Sequence, residues 1–170
     1  MKKKVLIIDT SILMVWLEVP GFQTAGKDNE WTIGKVTEKL QKEQDNGTCF
    51  ILPIAAIIET GNHIAQVKGD IRKVVVEKFA DLLEDVAKNK TPWTLFTNQT
   101  EFWSSEQLIE LAEQWRKTGI MRLSLGDASI VKVAQYYQQM YEVEIFTGDR
   151  QLKGYEKLPQ EFIIPRRRKR

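Results

Sequence analysis

The stretch KVLIIDTS at residues 4–11 places four branched apolar side chains directly before a carboxylate and two hydroxyls. An apolar run without polar alternation is typical of a strand that is buried on both faces of a parallel sheet. In open α/β sheets, ligands bind beyond the carboxyl ends of the strands, and Asp9 follows this end directly. The stretch therefore predicts an α/β fold and marks Asp9 as a candidate site residue.

Outward from this stretch, strand-like and helix-like patterns alternate along the chain. We predict further strands at 49–52, 92–96, 143–147 and 161–164, and helices at 12–17, 32–44, 53–68, 71–89, 104–117 and from 124 onward. Thr10 or Ser11 is expected to cap the first helix, and residues 18–29 read as a loop. Ser104 with Gln107 and Ser124 with Asp127 form capping-box patterns at the starts of two later helices. The alternation predicts a three-layer α/β/α fold with a central parallel sheet, whose right-handed crossovers bring the strands' carboxyl ends to one edge.

The length of 170 residues predicts one domain, which we place at 1–165, followed by a basic C-terminal tail at 166–170. No stretch approaches the roughly 20 apolar residues of a membrane span, so no membrane partner is expected. Cys49 is the single cysteine, which excludes an intrachain disulfide and is consistent with a cytoplasmic protein.

The formal net charge of +2 is unevenly distributed along the chain. Lys2 to Lys4 and the tail supply eight positive charges, so residues 5–165 carry a net charge of −6. Basic terminal runs often bind a polyanion, and they also occur as solvated tails that aid solubility. The tail is accordingly a candidate nucleic-acid-binding segment, formed by Arg166, Arg167, Arg168, Lys169 and Arg170.

Four acidic residues stand close to apolar strand or helix patterns. Asp9 and Asp149 follow predicted strands, Asp127 begins a predicted helix, and Glu59 lies in the helix after the second strand. These placements allow all four side chains to reach one edge of the sheet. Each acid alone also has an ordinary structural interpretation: a helix N-terminal residue for Asp127, a turn residue for Asp149 and a solvent-facing helix residue for Glu59.

Carboxylates that share a partly dry cleft repel one another and raise each other's pKa unless a cation compensates their charge. Hard divalent cations prefer such oxygen ligands. His63 is the only histidine and there is no cysteine pair, so zinc is not favoured. The acids therefore predict a Mg²⁺ or Mn²⁺ site that can activate water and hold a phosphodiester.

The four acids and their neighbours together resemble the PIN-domain family of metal-dependent nucleases. The resemblance lies in IDTS at 8–11, IET at 58–60, LGDASI at 125–130 and FTGDR at 146–150, and it covers residues 4 to about 155. It implies a PIN-like sheet flanked by helices, a Mg²⁺ or Mn²⁺ site and cleavage of RNA, sometimes of flap DNA. It also implies that Ser11 supports the first acid and that Thr147 supplies the hydroxyl before the last one.

Many small members of this family resemble VapC-type toxins, which an antitoxin protein holds and which often form homodimers. This chain is longer, with apparent expansions at 18–47 and 89–104, and it carries Leu152 where an aromatic residue is expected. We therefore expect a metal-dependent endoribonuclease with an RNA substrate. The toxin of a toxin–antitoxin pair is the first physiological assignment, and an RNA-processing or defence nuclease is the second.

Two other functional classes remain open from the sequence. A phospho-acceptor receiver domain also uses strand-end aspartates and Mg²⁺, but it needs an adjacent acidic pair, and Ile8 occupies the place beside Asp9. A PIN-like module could instead bind RNA or protein without cutting. The presence of all four acids argues against that interpretation.

Several other side chains are candidates for lesser roles. His63 lies four residues after Glu59 and is interpreted as a proton-transfer group, a polar neighbour of the acids or a surface residue. Cys49 is expected to fill the core. The aromatic stretch could stack on nucleobases, cover a groove, contact a second copy or pack in the core; it consists of Trp93, Phe96, Phe102 and Trp103.

Overall fold

The computed structural model describes residues 2–94, 103–120 and 122–157. The strands over these residues are β1 (Lys4–Ile8), β2 (Thr24–Ala25), β3 (Trp31–Thr32), β4 (Cys49–Ile51), β5 (Trp93–Thr94) and β6 (Glu142–Phe146). The α-helices are α1 (Thr10–Trp16), α2 (Ile33–Asp45), α3 (Ile54–Ala65), α4 (Ile71–Ala87), α5 (Ser105–Thr118), α6 (Leu125–Gln138) and α7 (Arg150–Gly154). Short 3₁₀ turns occupy Lys27–Asn29 and Tyr155–Lys157.

The central sheet has four strands in the order β5-β4-β1-β6, and every neighbouring pair is parallel. Strand β1 lies between β4 and β6, with Ile7 opposite Ile51 on one side and Ile8 opposite Phe146 on the other. Helices cover both faces of this sheet. The predicted three-layer α/β/α fold with a central parallel sheet is confirmed.

Strand β1 supplies both halves of the core. Leu6 and Ile8 pack into the cluster that contains residues of α1 to α4, whereas Val5 and Ile7 pack into the cluster that contains residues of α6 and α7. All four side chains are at most 2% exposed. Complete burial of one such side chain stabilises a fold by about 1.5–3 kcal/mol, so this short strand contributes heavily to stability.

The first helix begins differently from the prediction. Asp9 is the N-cap of α1, where its side chain accepts a hydrogen bond from the backbone N–H of Ser11 at 3.3 Å. The prediction that Thr10 or Ser11 is the cap was therefore wrong, because the strand-end carboxylate is already placed to accept that bond. Ser104 and Ser124 cap α5 and α6 through their hydroxyls, as the capping-box patterns predict.

Residues 18–29 are not entirely irregular. Strand β2 pairs with β3 in an antiparallel hairpin, with Thr24 opposite Thr32 and Ala25 opposite Trp31. Two-residue strands show no periodicity along the sequence, which explains why the prediction gave only a loop there.

Some predicted segments lie outside the described residues. These are the last strand at 161–164, the basic tail at 166–170 and the end of the predicted strand at 92–96, of which Trp93–Thr94 is observed as β5. Within the described ranges, no helix has the length and apolar character that crossing a bilayer requires.

Candidate metal centre

The candidate site lies at the carboxyl edge of the parallel sheet. Strands β1 and β6 end at paired residues, Ile8 and Phe146, and the ladder extends by a hydrogen bond from the Asp9 N–H to the Phe146 carbonyl at 3.1 Å. Asp9 therefore lies directly beside Thr147, and Asp149 follows two residues later. This register brings the first and last of the predicted acids to one edge.

The carboxylate of Asp9 is only 5% exposed and is fixed through one of its oxygens. Its Oδ2 accepts hydrogen bonds from the hydroxyls of Ser11 at 2.7 Å and Thr147 at 2.8 Å. Burial of a charged carboxylate is costly without such donors. The two hydroxyls are the residues that the family resemblance assigned to supporting positions.

The same two hydroxyls also hold the loop after β6. Ser11 Oγ accepts a hydrogen bond from the Gly148 N–H at 2.9 Å, and Thr147 Oγ1 accepts one from the Asp149 N–H at 2.9 Å. Each hydroxyl thus links the Asp9 carboxylate to the loop backbone. Asp149 in turn caps α7, since its Oδ1 accepts from the N–H groups of Gln151 and Leu152.

Glu59 reaches the edge from the second turn of α3. Its Oε2 accepts a hydrogen bond from the Thr10 hydroxyl at 3.0 Å, so the residue after Asp9 anchors the second acid. Its Oε1 lies against Gly126, at a place where an added Cβ on the glycine would clash. Glycine at 126 therefore lets the N-terminus of α6 approach the Glu59 carboxylate closely.

Asp127 lies in the first turn of α6, half-buried. Its N–H donates to Ser124 Oγ at 2.9 Å, and the same hydroxyl donates to its Oδ2 at 2.7 Å. Burial raises the pKa of Asp127, and the negative charges of Asp9, Asp149 and Glu59 raise it further against the lowering effect of the Ser124 hydrogen bond. The four acids are therefore close enough for their charges to interact.

The four carboxylates share one arrangement. In each of them one oxygen accepts hydrogen bonds, while the other oxygen accepts none from any described residue. Anchored carboxylates with a free oxygen suit a hard divalent cation, so the donor set fits Mg²⁺ or Mn²⁺. In the described parts of the chain, no group of three His, Cys, Asp or Glu side chains is close enough to hold a metal ion as it stands. The four carboxylates would therefore have to move closer together to share one ion.

Of the remaining candidates, the structure describes His63, Trp93, Trp103 and Cys49. His63 is exposed and packs edge-on against Phe22, with ring centroids 5.0 Å apart, which agrees with a surface histidine. Trp93 is 6% exposed and packs against Trp16 and Phe50 in the core, while Trp103 is 47% exposed. Cys49 is partly buried against the α6 side of the core. Phe96, Phe102 and the tail at 166–170 lie outside the described residues.

Sequence reasoning missed three features of this edge. Thr10 was predicted only as a helix cap, but its hydroxyl donates a hydrogen bond to Glu59. Its position directly after Asp9 was the signal that could have placed it at the site. Ser124 fits a capping-box pattern, but that pattern did not indicate that its hydroxyl also donates a hydrogen bond to the Asp127 carboxylate. The third is a cleft beside Asp149 that the β2–β3 hairpin lines through Glu30 and Trp31.

Comparisons of the chain with protein-family models, with curated proteins and with solved structures find no match.

Proposed function

We propose that this chain is a PIN-like endoribonuclease that hydrolyses RNA phosphodiester bonds with Mg²⁺ or Mn²⁺. The observation that carries the proposal is the set of four carboxylates at the sheet's carboxyl edge. In each of them one oxygen is anchored by hydrogen bonds and the other accepts none from the residues that the structure describes. The order of the four motifs along the chain resembles that of PIN nucleases, and this resemblance is the reason for proposing RNA as the substrate.

In this proposal Asp9, Asp127 and Asp149 bind the cation directly or through water, and Glu59 completes the site. The cation supplies a lowered pKa for a bound water and positive charge opposite the phosphodiester. Ser11 and Thr147 orient the Asp9 carboxylate, because both donate hydrogen bonds to the same oxygen. Thr10 holds Glu59 where it can orient the attacking water.

The physiological setting proposed rests on the family resemblance alone. We assign the chain first to the toxin of a type II toxin–antitoxin pair, acting in the cytoplasm as a homodimer. The alternative is an RNA-processing or defence nuclease without an antitoxin. A small neighbouring gene that encodes a DNA-binding antitoxin would favour the first assignment.

The decisive experiment compares Asp9→Asn and Asp127→Asn with the wild type on single-stranded RNA, with and without Mn²⁺. Both substitutions keep a side-chain acceptor while removing a charge, so the hydrogen bonds from Ser11 and Ser124 remain possible. We expect Mn²⁺-dependent cleavage to fall by at least about 100-fold in both variants, on the scale of losing a group that organises the transition state.

Asp81→Asn is the matched control, since this aspartate is exposed and lies on α4, which carries none of the four acids. A second measurement is independent of activity: Mn²⁺ should raise the thermal midpoint of the wild type and of Asp81→Asn, and raise it less in the two site variants. Metal-dependent cleavage retained in both site variants would falsify the assignment.

A further inference from the structure

An open cleft of about 120 Å³ lies beside the acidic edge. The β2–β3 hairpin forms one wall through Glu30 and Trp31, and the opposite wall runs from Phe146 to Arg150. Sites that enclose a whole small ligand typically measure about 300–1,000 Å³, so this cleft has room for only one part of a larger ligand. Because Asp149 lines the cleft and belongs to the acidic edge, whatever occupies the cleft lies next to the proposed reaction centre.

The hairpin is held firmly against this edge. A Cβ atom added at Gly148 would lie 2.5 Å from the Gly26 nitrogen and 2.8 Å from the Ala25 Cβ, so the two backbones are in direct contact. Trp31 packs edge-on against Phe146, with ring centroids 4.8 Å apart, and remains partly exposed toward the cleft. The tryptophan is therefore a fixed aromatic surface rather than a loop side chain.

The charges of the cleft favour a neutral occupant over a phosphate. Glu144 and Lys153 also line it, but they are engaged in ion pairs with each other and with residues behind the cleft. Glu30 is exposed, and its carboxylate accepts no hydrogen bond from the described residues. Arg150 also lines the cleft and is exposed, and its positive charge offsets only one of the two negative charges of Glu30 and Asp149. A phosphate would therefore meet a net negative charge, whereas an amino group on a base would find an acceptor in Glu30.

From this geometry we infer that the cleft binds one unstacked base of single-stranded RNA next to the scissile phosphate. Trp31 stacks on the base, and the Glu30 carboxylate accepts a hydrogen bond from its exocyclic amino group. Carboxylates pair with the amino group of cytosine in this way, and aromatic side chains stack on splayed bases of RNA. Adenine and cytosine are therefore favoured over uracil. The inference rests on the proposed function and names a specificity site for it.

The test uses the full chain and short adenine, cytosine and uracil RNA oligomers, with binding measured by fluorescence anisotropy in Ca²⁺ and cleavage in Mn²⁺. Trp31→Leu keeps the apolar packing against Phe146 but cannot stack, whereas Trp31→Phe keeps a stacking ring. We expect Trp31→Leu to bind all oligomers about 5- to 100-fold more weakly and Trp31→Phe to lose less than about 5-fold. Trp115→Phe is the matched control, because Trp115 is a partly exposed tryptophan on α5 that lies on no wall of the cleft.

Glu30→Ala separates recognition of the base from stacking, because alanine has no side-chain acceptor for the amino group. We expect this variant to lose the preference for adenine and cytosine while its affinity for the uracil oligomer stays within about 2-fold of the wild type. Wild-type affinity that is equal for all three oligomers, or a preference that survives Glu30→Ala, overturns the inference. So does a Trp31→Leu variant that binds as the wild type does, or a wild type that binds none of the oligomers.

The two proposals fail in distinguishable ways. If the wild type cuts RNA in Mn²⁺ but the Trp31 and Glu30 variants behave as the wild type does, the base site is wrong and the nuclease proposal stands. If the wild type binds with the expected preference but never cuts, the nuclease proposal fails while the base site stands.

Discussion

At the scale of single residues, Asp9 shows how one carboxylate serves both the fold and the candidate site. Its Oδ2 caps α1 and accepts from Ser11 and Thr147, which offsets the cost of burying the charge. Its Oδ1 takes no part in this set of bonds. The anchoring thus fixes the side chain without using the oxygen that a ligand would need.

Thr147→Val tests this anchoring, because valine matches threonine in shape but lacks the hydroxyl. The variant loses the donor to Asp9 Oδ2 and the acceptor for the Asp149 N–H. We expect the free energy of unfolding, measured in urea, to fall by about 1–3 kcal/mol, since buried groups lose their partners. Mn²⁺-stimulated RNA cleavage should fall about 10- to 100-fold, as for other residues that orient metal ligands.

Thr147→Ser is the control, because it keeps the hydroxyl and removes only a methyl group. It should retain most of the cleavage activity and lose no more stability than a small cavity costs, about 1 kcal/mol. If the serine and valine variants were equally impaired, packing of the methyl group rather than hydrogen bonding would be what matters at position 147.

At the scale of elements, the hairpin depends on contacts made far away in the sequence. Strands β2 and β3 have only two residues each, so their own ladder contributes little. Their position depends on the close approach of Gly26 and Ala25 to Gly148. By contrast, β1 could be predicted from its sequence, because its four buried residues from Val5 to Ile8 form a continuous apolar run.

Gly148→Ala should disturb this junction, because the new Cβ would meet backbone and another Cβ that cannot move independently. We expect a loss of about 1–3 kcal/mol in the free energy of unfolding, which is the usual cost of overpacking. Gly154→Ala in α7 is the matched control, since nothing lies within 4 Å of its added Cβ. That variant should be unchanged or more stable by up to about 1 kcal/mol. Equal effects at both positions would contradict a specific role for the close approach at Gly148.

An ion-pair network joins α2 to the sheet at the other end of β1. Glu43 is 6% exposed and accepts hydrogen bonds from Lys4 at 2.6 Å, Lys39 at 2.8 Å and Thr48 at 2.8 Å. Burial alone would raise the pKa of Glu43, but the hydrogen bonds from Lys39, Lys4 and Thr48 outweigh it and lower the pKa to about 2. Since this value lies below the usual 4.5, the ionised group stabilises the fold above pH 4.5, and the contribution is lost as pH falls toward 2.

Glu43→Gln should therefore destabilise the protein at pH 7 and matter progressively less below pH 4.5. We expect the difference in unfolding free energy between wild type and variant to shrink by about 1–3 kcal/mol between pH 6 and pH 2, allowing for screening by solvent. Glu84→Gln is the control, because Glu84 forms an exposed ion pair with Lys88 on α4. A difference for Glu43→Gln that does not vary with pH would contradict the role of the charge.

At the scale of the whole molecule, the sequence predicts the sheet and the edge at which the acids lie, because parallel strands end together. Local sequence patterns do not predict the bonds that hold the acids, although the family resemblance marks Ser11 and Thr147 as supporting residues. Thr10 and Glu59 are 49 residues apart, and Thr147 and Asp9 are 138 apart. No local period relates such pairs, and they become visible only when the strand register is known. The close approach of Gly126 to Glu59 has the same origin.

The distribution of charge gives the prediction that belongs to the complete chain. Residues 5–165 carry a net charge of −6, so RNA is repelled by the body unless cations or the basic ends compensate. Deleting residues 166–170 should weaken the binding of RNA oligomers. It should also make the slope of log affinity against log salt concentration less steep, by about 0.7 for each phosphate that the tail no longer neutralises. Replacing Lys2 and Lys3 by glutamine is the control, because at about 3.3 Å per residue they lie roughly 20 Å along β1 from the acidic edge. Their replacement should change the slope less, whereas an unchanged slope after deletion of the tail would show that these five residues neutralise no phosphate of the RNA.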